Sequence, residues 1–115
     1  MTAGLDICLL AMIAERDRYG YELIKNLESE GLRLVKEGSV YPMLRRMEKE
    51  GLIESRVAPS TDGPPRKYYR ILPRGDELLV AWANGFIEFT DSVRGILERR
   101  MNLDPPPTPD DRQSA

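Results

Sequence analysis

The chain has 115 residues, 41% of them hydrophobic and 31% charged, with a formal net charge of −2, which fits about one soluble domain around a single core. It contains no histidine, so His-based catalytic triads, imidazole general bases and His-ligated zinc are excluded, and we expect neither an enzyme nor a metal or cofactor. The single cysteine, Cys8, excludes an internal disulfide and predicts a reducing, cytoplasmic compartment, and no apolar run approaches the roughly 20 residues that cross a bilayer.

Two amphipathic helices are predicted at the start of the chain. The first carries apolar side chains at the spacing of one helix face, namely Leu5, Leu9, Met12 and Ile13. The second runs from about Tyr19 to Glu30 and buries a similar stripe, Leu23, Ile24 and Leu27. Gly31 follows it, where a left-handed C-terminal cap is expected, and residues 32–35 fit either a short strand or a packed loop.

A third helix is predicted after Gly38, with Ser39 as its N-cap and Pro42 in its first turn, where a missing amide costs little. Its apolar face consists of Val40, Leu44 and Met47. Its opposite face carries Tyr41, Arg45, Arg46 and Lys49. Gly51 is expected to end this helix.

Two alternating segments predict a β-hairpin after this helix. Residues 53–57 and 67–71 form its strands, and the segment 59–65, rich in turn-forming residues, forms a projecting loop. Tyr68 and Tyr69 are adjacent in the second strand. They therefore point to opposite faces, and we expect one of them in the core.

A long helix is predicted from Pro73, because apolar residues recur at alternating steps of three and four. The repeat comprises Leu79, Trp82, Phe86, Phe89, Val93 and Ile96. A flanking stripe adds Leu78, Ile87, Leu97 and Met101. One small domain covers such a wide apolar arc poorly. We therefore expect one side of the helix to pack on its own domain and the other side on a second copy of the chain.

Three short helices closed by a hairpin form a winged helix-turn-helix, so the predicted fold class is mainly α with a β-hairpin, followed by a long C-terminal dimerisation helix. We assign residues 1–72 to the winged-helix domain, residues 73–101 to the dimerisation helix and residues 102–115 to a disordered, proline-rich tail. In a winged helix the third helix enters the major groove of DNA, and the hairpin reaches the flanking backbone or minor groove.

The charge distribution agrees with a DNA partner. Between Gly38 and Gly75 eight cations stand against four anions, a local charge of +4 that leaves −6 for the rest of the chain. The predicted DNA-binding residues are Ser39, Tyr41, Arg45, Arg46, Lys49, Arg66 and Lys67. The alternatives are an ordinary solvated helix face, a strand edge blunted by cations and, for Tyr41, packing beside Pro42.

Trp82, on the long helix, has two interpretations. It is either a large apolar side chain buried in a dimer interface or, paired with its symmetry mate, one wall of a slot for a flat ligand that Phe86 and Phe89 also line. Cys8 is expected to be buried and unreactive, because the sequence places no cluster of cations near it that would activate the thiol.

Four segments resemble the PadR family of bacterial transcriptional regulators, in the family's order and spacing. They are residues 19–23 (YGYEL), 38–48 (GSVYPMLRRME), 51–53 (GLI) and 63–70 (GPPRKYYR). The resemblance spans about residues 5–100 and implies a homodimeric winged-helix repressor of the compact subgroup with a single C-terminal helix. It also implies a small aromatic or cationic effector. Leu72 stands where many members of the family have a threonine. Pro64 stands where some members have an arginine.

These observations together predict a cytoplasmic regulator that binds a pseudo-palindromic operator as a homodimer, with its two third helices in successive major grooves. A ligand at the dimer seam would change the angle between the long helices, so ligand and DNA would oppose each other through linkage. The expected partners are double-stranded DNA, a second copy of the chain and an effector, with no membrane. The alternative is a winged-helix protein-interaction module that has lost DNA binding, which the acidic net charge permits.

Overall fold

The computed structural model describes residues 4–32 and 37–103. Its elements are α1 (Leu5–Glu15), β1 (Arg18–Tyr19), α2 (Gly20–Ser29), α3 (Glu37–Lys49), β2 (Ile53–Ser60), β3 (Gly63–Ile71) and α4 (Pro73–Leu103). The predicted fold class is confirmed, because the chain is mainly helical with a small antiparallel sheet and a long last helix. Residues 33–35, for which strand and loop were both open, and residues 104–115 of the predicted tail lie outside the described residues. The chain divides into two units, one ending at Ala83 and one beginning at Asn84.

The core of the first unit is formed by α1, α2, α3 and the sheet. Its buried side chains are Leu9, Leu10, Ile13, Leu23, Ile24, Leu27, Val40, Met43, Leu44, Met47, Leu52, Ile53 and Tyr69. The apolar faces predicted for the three helices are confirmed, although Leu5 and Met12 are only partly buried. Burying one large aliphatic side chain stabilises a fold by roughly 1.5–3 kcal/mol relative to leaving it exposed. This cluster therefore fixes the three helices against the sheet.

A two-residue strand that the sequence did not indicate completes the sheet, whose order is β1-β3-β2. Arg18 in β1 pairs with Tyr69 in β3, and its side chain is buried. The Arg18 Nε donates to the Met12 carbonyl at 2.8 Å. The two Nη atoms donate to Asn26 Oδ1 at 2.5 Å and to Glu15 Oε2 at 2.7 Å. Because a buried guanidinium is tolerated only with such partners, these bonds tie α1, β1 and α2 together.

The third helix, α3, begins at Glu37, earlier than predicted, so Ser39 is a helical residue and not the N-cap. Pro42 then lies inside the helix, beyond its first turn. A proline at this position withholds the amide that would bond to the Gly38 carbonyl. The prediction of a later start followed local cap and proline preferences, which are weak guides that the tertiary structure can override. Gly51, the residue expected to end α3, lies two positions after its last residue and has a left-handed conformation with a φ of 78°.

The wing, formed by β2 and β3, extends through most of the predicted loop. β2 continues to Ser60 and β3 starts at Gly63, so only Thr61 and Asp62 remain in the turn. The register is irregular between Ala58 and Ser60. Prolines are tolerated at such a bulge, because it already interrupts the ladder of hydrogen bonds. The long loop was therefore a wrong prediction, since turn-forming residues at an irregular ladder produce the same sequence pattern as a loop.

The last helix, α4, begins at Pro73, as predicted, and its first turn contacts the start of β2. The N–H of Leu72 donates to the Leu52 carbonyl at 2.9 Å. Gly75 is buried, and a Cβ at this position would collide with the same carbonyl oxygen. The close approach therefore requires glycine. The residues of α4 that pack on the core from the first unit are Leu78 and Leu79.

The described part of the second unit is the continuation of α4, residues 84–103, and most of its large apolar side chains are exposed. These are Phe86, Ile87, Phe89, Ile96, Leu97 and Met101. The expectation that one side of the helix packs on its own domain holds for Leu78 and Leu79. Ile87, Leu97 and Met101 of the flanking stripe are exposed. α4 also continues to Leu103, into the range predicted as tail, and no helix in the described ranges is long and apolar enough to cross a membrane.

Candidate nucleic-acid interface

The outward face of α3 carries the predicted cations with no acid paired to them. Because one face of the helix is buried in the core, the positions on the other side point to solvent. The exposed residues here are Ser39, Arg45, Arg46 and Lys49. Within residues 4–32 and 37–103, none of these three cations has a carboxylate at ion-pair distance. Their charge therefore faces solvent without internal compensation.

A cleft of about 340 Å³ lies between the start of α2, α3 and β3. Its lining includes four of the predicted DNA-binding residues, Tyr41, Arg45, Arg66 and Lys67. The other lining residues, which were not predicted, are Tyr19, Gly20, Tyr21 and Tyr69. Tyr19, Gly20 and Tyr21 are the first three residues of the first segment that resembles the PadR family. That resemblance was the signal in the sequence that could have identified them as site residues. The cleft thus presents three cations and several phenol groups to one anion, whereas Ser39, Arg46 and Lys49 are not part of its lining.

Tyr41 is held in the cleft by contact with the start of α2. Its ring lies so close to Gly20 that a Cβ on Gly20 would collide with the ring carbons. Gly20 is buried and Tyr41 is half-buried. A larger residue at position 20 would therefore displace the ring or separate α2 from α3. The sequence-based alternative named Pro42 as the neighbour of Tyr41, and Gly20 is the neighbour that the structure identifies.

Arg66 is positioned by an aromatic ring, and no carboxylate in the part of the chain that the structure describes lies at ion-pair distance from it. Its guanidinium carbon lies 4.5 Å from the centroid of the Tyr19 ring. The Tyr19 ring meets the Tyr68 ring edge-on, with centroids 5.5 Å apart and planes at 68°. A cation–π contact at an exposed site contributes about 0.5–1 kcal/mol and leaves the positive charge uncompensated. Arg66 is exposed and so presents this charge beside the cleft.

Several other cations of the wing are paired with carboxylates. These pairs are Arg56 with Asp17 at 3.0 Å, Arg70 with Glu54, and Lys67 with Glu48 at 3.7 Å. Exposed ion pairs of this kind contribute only about 0–1 kcal/mol to stability, so their main effect is to reduce the local positive potential. Among the described residues, these paired cations therefore differ from Arg45, Arg46 and Lys49 of α3, which have no carboxylate at ion-pair distance.

Tyr69 forms the buried floor of the cleft. Only 4% of it is exposed, which confirms that one of the two adjacent tyrosines belongs to the core, and Tyr68 is half-buried. Burial raises the pKa of the Tyr69 hydroxyl, the Glu48 carboxylate adds to the rise, and the Arg45 guanidinium opposes it. The hydroxyl is therefore protonated at neutral pH and able to donate a hydrogen bond.

Cys8 is half-buried on α1, and not fully buried as expected. Burial raises the pKa of its thiol, and the nearby Asp6 carboxylate adds to the rise. The thiol is therefore protonated at neutral pH, which makes it a poor nucleophile. In the part of the chain that the structure describes, no group of three acidic or cysteine side chains is arranged to hold a metal ion.

The residues predicted for the dimer and ligand interface lie along α4 and differ in burial. Leu79 packs on the core, and Val93 is half-buried. The others are exposed, Trp82 by 39%, Phe86 by 37%, Phe89 by 65% and Ile96 by 56%. Several exposed aromatic and branched side chains on one helix indicate a surface that another molecule covers.

Sequence comparison identifies relatives that span most of the chain. A model of the transcriptional regulator PadR-like family matches residues 9–81. Transcriptional regulator Rv3488 of Mycobacterium tuberculosis is 33% identical over 95 residues, which cover 81% of this chain and 85% of that protein.

Solved structures of transcriptional regulators share the fold. The crystal structure of a PadR-like transcriptional regulator from Bacillus cereus has a TM-score of 0.75 and 41% identity, over 84% of this chain and 95% of that chain. The crystal structure of Bacillus subtilis PadR in complex with operator DNA has a TM-score of 0.63 at 22% identity, over 69% of this chain and 46% of that chain.

Proposed function

This chain belongs to the PadR-like family of transcriptional regulators, and we propose that it represses transcription by binding a pseudo-palindromic operator as a homodimer. The observation that carries the proposal is the cleft between α2, α3 and β3, which gathers Arg45, Arg66 and Lys67. Three converging cations suit a DNA backbone, because phosphate contacts supply much of the affinity of DNA-binding proteins.

The proposal gives α3 and the wing different roles. α3 enters the major groove, where the arginines either pair with guanine through two hydrogen bonds or clamp phosphate. Its cations are Arg45, Arg46 and Lys49. Ser39 and Tyr41 donate their hydroxyls to phosphate. Arg66 and Lys67 of the wing contact the flanking backbone.

The exposed apolar side of α4 supports the homodimer. Trp82 and the two phenylalanines of the repeat are more than a third exposed in the single chain, and aromatic side chains of this size dominate the energetics of interfaces. A second copy covers them in a two-fold dimer. Two-fold symmetry of the protein calls for symmetric half-sites, which is why we propose a pseudo-palindromic operator. We place its half-sites about one turn of DNA apart, roughly 34 Å.

The complex of Bacillus subtilis PadR with operator DNA supports this function through the shared fold. At 22% identity the similarity bears on the fold and not on single residues. The assignment of individual contacts rests on the cleft and on the exposed cations of α3 and the wing. A repressor of this kind acts in the bacterial cytoplasm, where the chromosome lies.

For regulation, the proposal puts a flat aromatic or cationic effector between the Trp82 side chains of the two copies. The indole is 39% exposed, so a ligand can reach it before the dimer closes fully around it. An effector that changes the angle between the two α4 helices would change the separation of the α3 helices. Effector and operator then weaken each other's binding by the same coupling energy.

The test compares DNA binding by the wild-type protein with that of Arg45→Ala and Arg66→Ala, using fluorescence anisotropy on a duplex selected from a random pool. Each substitution is expected to weaken binding about tenfold, because one contact of this kind contributes about 1–3 kcal/mol. Arg56→Ala is the matched control, since Arg56 is a cation of the wing that is paired with Asp17. Sedimentation velocity should show the same dimer for all four proteins.

The outcomes separate the function from the site. Wild-type binding should weaken steeply with added salt, and no affinity for any duplex at low salt would favour a protein-interaction module. Unchanged affinity in both arginine variants would remove these residues from the interface. A uniform loss for all sequences in Arg45→Ala would identify a phosphate contact, whereas a loss confined to the selected sequence would identify a base contact.

A further inference from the structure

Glu48 on α3 contacts both strands of the wing. Its Oε2 accepts a hydrogen bond from Ser55 Oγ on β2 at 2.6 Å. Its Oε1 lies 3.7 Å from Lys67 Nζ on β3. Val57 pairs with Lys67 in the register, and Ser55 precedes Val57 by two positions, so Ser55 and Lys67 share one face of the wing. A single carboxylate therefore connects the helix proposed to read DNA with the hairpin proposed to hold the backbone.

This carboxylate partly neutralises one cation of the proposed interface. Arg45, Arg66 and Lys67 all line the cleft, and among these three, within the described ranges, only Lys67 has a carboxylate partner. The side chains of Lys67 and Glu48 are 49% and 33% exposed, so water reaches the pair and the attraction is weak. A phosphate can therefore replace Glu48 at small cost.

We infer that Glu48 determines how strictly this protein distinguishes its operator from other DNA, an inference that rests on the proposed function. On unrelated DNA the protein docks loosely, Lys67 stays paired with Glu48, and the lysine neutralises no phosphate. On the operator, base contacts by α3 fix the wing against the backbone, and a phosphate replaces Glu48 as the partner of Lys67. The charge of Lys67 thus contributes mainly to the specific complex.

The two oxygens of Glu48 separate this role from structural support. Ser55 Oγ donates its hydrogen bond to Oε2, and this bond connects α3 to β2. A neutral oxygen acceptor could accept the same bond. The charge acts elsewhere, because Glu48 also raises the pKa of the buried Tyr69 hydroxyl at the floor of the cleft. A negative charge at ion-pair distance from Lys67, which lines the cleft, disfavours a phosphate that is not held by all three cations.

The test uses E48Q, because glutamine keeps an oxygen acceptor for Ser55 and removes the charge. Full-length wild-type and variant proteins are titrated at several salt concentrations with a duplex selected by the wild type and with a scrambled duplex of equal composition. For E48Q we expect about threefold tighter binding to the scrambled duplex, within the range of exposed ion pairs. Its salt slope should steepen by about 0.9, because one more phosphate is neutralised. Binding to the selected duplex should change less, so the ratio of the two affinities falls.

Glu54→Gln is the matched control, because it removes an equal negative charge, here from the wing, and frees Arg70, which does not line the cleft. It should leave the ratio unchanged. The double variant E48Q/K67Q should lose the gain on the scrambled duplex. K67Q alone provides a second route that does not depend on the folding of E48Q, and it should weaken binding to the selected duplex while leaving the scrambled duplex unaffected.

Three results would overturn the inference about Glu48 while the wild type still binds DNA selectively. These are equal gains for E48Q and E54Q, an unchanged salt slope of E48Q on the scrambled duplex, and equal losses of K67Q on both duplexes. Absence of wild-type binding to any duplex would overturn the proposed function itself, and this inference with it. The failure of the inference and the failure of the function are therefore distinguishable.

Discussion

The first unit and the segment 84–103 of α4 treat their apolar side chains in opposite ways. In the first unit, the core side chains of α1, α2, α3 and the sheet are at most 5% exposed. In the segment 84–103, Phe89 is 65% exposed, and Ile87 and Leu97 are 56% and 55% exposed. The three helices and the sheet thus form a buried core within one chain, whereas the exposed apolar side chains of the segment 84–103 indicate a surface that another molecule covers.

This difference separates properties that a single chain determines from properties that depend on association between chains. All residues that line the cleft belong to the first unit, so the surface proposed to bind DNA is formed before any second copy arrives. In the proposed dimer, the spacing of two such surfaces depends instead on association. Stability and association should therefore respond to different substitutions, and the following predictions test that separation in order of decreasing effect.

The largest effect is expected in the core. Leu44 is fully buried, and Leu44→Ala should lower the free energy of unfolding by about 2–5 kcal/mol, because it removes apolar contacts and leaves a cavity. Urea denaturation followed by circular dichroism measures this change. Leu97→Ala is the matched control, and at concentrations that keep the chain monomeric we expect a change within about 0.5 kcal/mol. Equal losses in the two variants would break the comparison between the regions.

The next effect concerns association. Phe89→Ala should raise the dimer dissociation constant about 30-fold, equivalent to about 2 kcal/mol, because truncating a central aromatic side chain typically costs at least this much in an interface. Sedimentation equilibrium measures the constant, and the unfolding of the monomer should not change. Glu88→Gln, next to it on α4, should leave the dimer intact. A dimer unaffected by Phe89→Ala would exclude this residue from the interface.

The smallest effect is the pH dependence of the free energy of unfolding, and it tests the burial of Tyr69 in the first unit. The pKa of Tyr69 is raised in the folded protein by burial, with Glu48 adding to the rise. An unfolded tyrosine ionises near pH 10, so the stabilisation is fully present below about pH 10 and is lost as the pH rises through the higher folded pKa. Tyr69→Phe should therefore show a smaller loss of stability than the wild type when both are denatured with urea at pH 10 and pH 11. Identical pH dependence in the two proteins would contradict this assignment.

The helices of the first unit could be predicted from the sequence because their signals are local and repeated. Val40, Leu44 and Met47 recur at helical spacing, and all three are buried. Gly31 was expected to have a left-handed conformation and has a φ of 96°. Pro73 was expected to begin the last helix and does so. The apolar residues share one helix face, glycine adopts a left-handed conformation without steric cost, and proline is favoured at the start of a helix.

The features that were missed depend on contacts between distant parts of the chain. A two-residue strand has no periodicity, so β1 became visible only through its pairing with β3 and the buried guanidinium of Arg18. The cleft joins Tyr19 and Gly20 to α3 and the wing, which no spacing within one segment encodes. The sequence could place Arg45, Arg66 and Lys67 on two basic elements, but their convergence on one cleft is a property of tertiary structure.

Both outer strands of the sheet are poor templates for further strand pairing. β1 has only two residues, and β2 contains Pro59 and an irregular register between Ala58 and Ser60. A long, regular outer strand recruits strands from other molecules and starts aggregation. The wing can therefore remain uncovered, as the proposed contact with a duplex requires, without acting as a seed for fibrils.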